Sequence, residues 1–133
     1  VLDLATRTPI GKPLRGHVGM VNSVALGTLK NQPVIVSGGQ DGSVRVWDLA
    51  TGRPRGKPFR GHVGMVNSVA LGTLKNHPVI VSSGSDLTVR VWGYSGVKYA
   101  TVNIGTSAFG LASTGNGIVV AGGASGLAAL LFE

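Results

Sequence analysis

The chain has 133 residues, 43% of them hydrophobic and 13% charged, with a net charge of +7. That is enough for one domain and too apolar for a disordered segment. Cysteine is absent, which removes disulfides, thiol catalysis and cysteine-based zinc sites. There is no apolar run of about 18 residues and no basic region ahead of an apolar leader, so no membrane span and a cytoplasmic location are expected.

The first residues read as the tail of something that recurs later. Val1–Thr6 matches Val46–Thr51, and Pro9–Arg15 matches Pro54–Arg60. Residues 10–15 are therefore expected to form a strand with no unit of its own. From Arg15 the chain enters a long repeat. Arg15–Ser37 recurs 45 positions later as Arg60–Ser82, with His77 for Gln32 as the only difference. The register continues through Asp41 and Asp86, Val44 and Val89, Arg45 and Arg90, Trp47 and Trp92. A period of this length marks a repeat architecture.

Within one period, strands are predicted over Val21–Leu26, Pro33–Val36, Val44–Trp47 and Arg55–Arg60. Asp41-Gly42 and Gly52–Pro54 supply turns. The second copy predicts Val66–Leu71, Pro78–Val81, Val89–Trp92 and Val97–Val102. The C-terminal third keeps the rhythm with other letters, over Ser107–Ala112, Ile118–Ala121 and Leu127–Phe132. No segment has helical periodicity. Four short antiparallel strands per period make one blade of a β-propeller. The expected fold is all-β, one domain over 1–133, with blades at 20–60, 65–103 and 106–132. The last blade is completed by the strand at 10–15, and residues 1–5 are displaced by Leu127–Phe132.

The residues Gly16-His17, Asp41 and Trp47-Asp48, with Gly61-His62, Asp86 and Trp92, resemble the WD-repeat β-propeller family. The resemblance is strong in the two central repeats and weak in the last. It implies a hydrogen-bond network of His17, Ser37, Asp41 and Trp47, and again of His62, Ser82, Asp86 and Trp92. A buried carboxylate and a buried imidazole cost several kcal/mol unless they satisfy other groups. Gly93 stands where Asp48 stands. The last blade has Ser125 for the aspartate, Leu131 for the tryptophan and no histidine near Gly105, so packing rather than polar bonds is expected to hold it.

Catalysis and cofactors are not expected. His17 and His62 occupy equivalent places in neighbouring blades and do not converge. His77, in Asn76-His77-Pro78, reads as a surface turn. The acidic residues Asp3, Asp41, Asp48, Asp86 and Glu133 form no close pair for acid–base work. Neither a Gly-x-Ser-x-Gly elbow nor a phosphate loop occurs. Arg53, Arg55 and Lys57 alternate along a predicted outer strand, where charge discourages edge-to-edge aggregation. Exposed aromatics do not interleave with these cations, so nucleic acid is not the expected partner.

Partners are expected elsewhere. The resemblance implies a docking face on the loop after Gly-His and the turn before the third strand, here Val18, Met20 and Gln40, then Val63, Met65 and Ser85. A protein or peptide ligand is expected there, with a carbohydrate or small ligand as the alternative. Three blades fall short of the about 4–8 that close a ring. A homodimer of six blades is therefore expected, a trimer of nine comes second, and a piece of a longer propeller is the alternative.

Overall fold

The computed structural model describes residues 2–3, 5, 8–9, 14–113, 118–123 and 126–131. Every element is a strand. β1 (Leu2–Asp3) and β2 (Thr8–Pro9) form a two-stranded ladder. β3 (Val21–Leu29), β4 (Gln32–Gly39), β5 (Ser43–Asp48) and β6 (Phe59–Arg60) form a four-stranded antiparallel sheet in chain order. β7 (Val66–Leu74), β8 (His77–Gly84), β9 (Thr88–Gly93) and β10 (Lys98–Asn103) form a second. β11 (Ala108–Ser113), β12 (Ile118–Gly123) and β13 (Gly126–Leu131) form a three-stranded sheet.

The first two strands of each repeat are longer than their apolar runs, because the turns between them are tight. Leu29 pairs with Gln32, and Leu74 with His77. The two residues between have positive φ in both copies: Lys30 and Asn31 at 50° and 62°, Lys75 and Asn76 at 49° and 62°. Two positive φ values in a two-residue loop give a turn whose twist matches the flanking strands. Pairing can therefore run up to the turn. Each first strand also carries a bulge at the same place, at Val21/Ser23, Val66/Ser68 and Ala108/Gly110. The three-stranded sheet thus shares local geometry with the other two, although its letters differ.

The predicted strand Arg55–Arg60 is mostly absent. Only Phe59–Arg60 pairs as β6, with an isolated bridge between Trp47 and Pro54. Pro54 and Pro58 lack the amide a ladder needs, and Gly56 sits at φ 73° between them. The copy over Lys98–Asn103 has no proline and pairs as a full strand. The Leu2–Pro9 pair of β1 and β2 is the Trp47–Pro54 bridge one period earlier. Of the predicted strand at 10–15, Leu14 and Arg15 make no strand pairing; residues 10–13 lie outside the described residues. So do Ser125, Phe132 and Glu133.

Sheets stack face to face with valine between them. Val34, Val36, Val44 and Val46 of the first sheet meet Val66 and Val69 of β7, with Ile80, Phe59 and Trp92 in the same core. Val79, Val81, Val89 and Val91 of the second sheet meet Ala108 of β11. The approach is close. A Cβ on Gly42 would lie 2.7 Å from the Gly64 carbonyl oxygen in the loop before β7. The residue after Asp86 is Leu87, held at φ 67° where Gly42 has φ 80°. Left-handed backbone on a residue with a Cβ costs about 1–2 kcal/mol. The Leu87 carbonyl accepts the Ile104 amide at 2.9 Å, which carries the β9–β10 ladder one residue into this turn.

Candidate functional site

At one end of each four-stranded sheet, residues from four segments meet in a polar chain. His17 lies in the loop before β3, Ser37 on β4, Asp41 in the β4–β5 turn and Trp47 on β5. Trp47 Nε1 donates to Ser37 Oγ at 2.9 Å. Ser37 Oγ is 2.7 Å from His17 Nε2, and His17 Nδ1 is 3.1 Å from Asp41 Oδ1. The second sheet repeats this with Trp92, Ser82, His62 and Asp86 at 2.9, 2.7 and 3.1 Å. Donors and acceptors assign the protons. The indole N–H takes one lone pair of the serine oxygen, and histidine Nε2 is the other partner of that oxygen, so it is the acceptor for the serine hydroxyl proton. Histidine is then neutral and donates from Nδ1 to the carboxylate. A protonated imidazole would leave the serine hydroxyl without an acceptor.

Each carboxylate has further donors that the repeat pattern does not announce. Ser43 Oγ donates to Asp41 at 2.8 Å, and the Val18 amide donates at 3.1 Å. In the second sheet Thr88 Oγ1 donates to Asp86 at 2.7 Å and the Val63 amide at 3.0 Å. Arg45 and Arg90 lie 3.8 and 3.5 Å from the same carboxylates. The only signal for the hydroxyls in the repeat is a serine or threonine two positions after the aspartate in both copies. The Gly of each Gly-His pair also has a reason. A Cβ on Gly61 would lie 2.9 Å from Arg90 Nη1 and 3.1 Å from the Trp92 ring, and Gly16 is placed likewise.

These bonds set the titration. Burial opposes ionisation of Asp86, but Thr88, the Val63 amide and His62 outweigh it and hold the carboxyl at about 2. Asp41 is held lower still, its burial outweighed by His17, the Val18 amide and Ser43. Burial lowers the His62 pKa below its ordinary 6.5, against the pull of Asp86. All three groups bind protons more readily when unfolded, so stability is full at neutral pH and falls with acid. It should fall first below pH 6.5 through His62, then between pH 4 and 2 through the aspartates. The Asp86 contribution is about 1–2 kcal/mol. Urea unfolding at pH 7, 5 and 3 checks this; stability that is flat or rises from pH 7 to 5 contradicts it.

Above the network lies an exposed rim. Val18, Met20, Gln40, Val63, Met65 and Ser85 are all exposed and grouped. The Gln40 amide donates to the Met20 carbonyl at 2.8 Å, and Ser85 to that of Met65 at 3.0 Å. The Met20 amide donates to Gln40 Oε1 at 3.1 Å. Asn22 Nδ2 donates to the Val66 carbonyl at 2.9 Å and touches Met65 Sδ, so the two rim segments are joined across the sheets. The aspartates that anchor histidine also hold the amides of Val18 and Val63, so network and rim form one unit.

A family model described as "WD domain, G-beta repeat" matches residues 7–48 and 52–93, more than half of the chain. The chain belongs to the WD-repeat family. The two matched segments cover most of the two four-stranded sheets, which are blades of that family. No curated protein matches the chain.

In WD-repeat terms the three-stranded sheet has other residues at the network positions. Ile104 precedes Ala108 by the interval at which His62 precedes Val66. Ala121 pairs with Ala128 as Ser82 pairs with Arg90. Leu130 pairs with Val119 as Trp92 pairs with Ile80. The residue in the tryptophan position is thus Leu130, not Leu131 as the spacing suggests. Removing the members together avoids the buried orphan that removing one would leave.

Among the described residues no group of three His, Asp or Glu is placed to hold a metal. His77 is exposed at the start of β8. Arg53, Lys57 and Arg60 are exposed while Arg55 is half-buried, so they do not line one strand face as predicted. The broken fourth strand is the reason. Tyr94, beside Arg55, has its hydroxyl pushed up to about 12 by burial.

Proposed function

We propose that the chain is a non-catalytic WD-repeat scaffold that completes a propeller ring by self-association and binds a protein or peptide partner on its rim. One observation carries the assembly. Val66 and Val69 of β7 are 0% and 5% exposed, and Leu71 packs against the same core. Their copies on β3, Val21, Val24 and Leu26, are 50%, 63% and 71% exposed. The sequences are identical; only the cover differs. What covers β7 is the preceding blade, and β3 has none among the described residues.

The two four-stranded sheets and the three-stranded sheet would make an arc of three blades, below the about 4–8 blades of closed rings. Two chains would give six blades and three would give nine, so the dimer is favoured. The rim suits a partner chain: exposed valine and methionine recur on both four-stranded blades, held by backbone bonds and by the aspartates. Methionine adapts its shape to varied apolar ligands, while a backbone fixed in advance lowers the ordering cost of binding. Light scattering on the separated chain tests the assembly. A mass of about twice the 13.5 kDa chain is expected; a mass of one chain at every concentration overturns it.

A further inference from the structure

Among the described residues two junctions join the three larger sheets, and they use different residues at one position. At the first, Gly38 of β4 is a socket. A Cβ there would lie 2.5 Å from Val66 Cγ1 and 2.9 Å from Val69 Cγ1. Val66 fills the socket and is fully buried. Its carbonyl accepts from Asn22 Nδ2 at 2.9 Å.

At the second junction the same register position holds Ser83, opposite Ser68 as Gly38 is opposite Ser23. The place of Val66 is taken by Ala108: Val66 pairs with Gly84 and Ala108 with Gly123, each just before the bulge. The volumes compensate. The socket gains a hydroxymethyl group and its occupant loses two methyl groups. The new hydroxyl donates to the Ala108 carbonyl at 3.0 Å, replacing the bond Asn22 makes at the first junction. Asn67, the copy of Asn22, accordingly has a buried Nδ2 with no partner among the described residues. A glycine socket goes with valine, and a serine socket with alanine.

The free ends follow the first pairing. Val21, the copy of Val66, is the exposed occupant without a socket. Gly122 pairs with Gly110 as Gly38 pairs with Ser23, so it holds the socket position of the three-stranded sheet. Gly110 is exposed, and among the described residues no atom lies within 4 Å of where its Cβ would sit. We propose that Val21 of one chain docks at the Gly122 socket of a second copy, head to tail. This rests on the self-association proposed above and specifies which residues meet.

Sedimentation of the full chain and its variants tests it. Gly122→Val closes the socket and is expected to weaken association by about tenfold or more. Gly122→Ser should also weaken it, and adding Val21→Ala, which rebuilds the second junction, should restore it to within about threefold of wild type. If Gly122→Val fails to fold, the serine and serine–alanine pair still decides. A wild-type chain that stays monomeric overturns self-association itself. A wild-type assembly that Gly122→Ser leaves intact, or that Val21→Ala fails to restore, overturns the pairing alone.

Discussion

Replacing Ser82 by alanine is expected to destabilise the chain by about 2–4 kcal/mol. The side chain is small and the cavity slight, so the loss comes from its neighbours. Ser82 Oγ accepts from Trp92 Nε1 at 2.9 Å and bonds His62 Nε2 at 2.7 Å. Trp92 is 3% exposed and His62 9%. Without the hydroxyl, an indole N–H and an imidazole nitrogen remain buried with nothing to meet, at about 1–3 kcal/mol each. For a domain stable by about 5–15 kcal/mol this is a large share. Adding Trp92→Phe to Ser82→Ala should cost less than Trp92→Phe alone, because the orphaned donor is gone. Urea unfolding at one fixed protein concentration measures both. A Ser82→Ala loss below about 0.5 kcal/mol would show that the hydroxyl is replaceable.

Much of this network is legible in the amino-acid order alone. The repeat places histidine, serine, aspartate and tryptophan at the same offsets twice, and the fold brings all eight to hydrogen-bond distance within their two sets. The offsets cannot show that Ser43 and Thr88 complete the carboxylate shells, because a hydroxyl two residues after an aspartate also suits an ordinary turn. At Arg55–Arg60 alternating charge imitates a strand period, while Pro54 and Pro58 remove the donors that strand needs. Counting along the chain puts Leu131 at the tryptophan position. Two residues separate β12 from β13 where three separate β8 from β9, and pairing moves that position to Leu130. The difference between β3 and β7 is not legible in the letters at all. Identical letters carry identical propensities, and only a neighbouring sheet distinguishes Val24 from Val69.

That difference gives the second large effect. Arg15–Ser37 and Arg60–Ser82 have nearly the same intrinsic amide exchange rates, because they share all residues but one. Any difference in their protection therefore reports packing. Burying an exposed valine or leucine contributes about 1.5–3 kcal/mol. Loss of cover over Val21, Val24 and Leu26 should therefore raise exchange of β3 over β7 by about a hundredfold or more. In a ring of chains the cover is present at high concentration and lost on dilution.

Hydrogen exchange followed by mass spectrometry distinguishes the two segments through Gln32 and His77. At high concentration β3 and β7 should be protected alike; on dilution below the association midpoint β3 alone should exchange faster. Segments that remain equally protected in a single-chain species would contradict the account, as would a β3 that exchanges quickly however concentrated the chain.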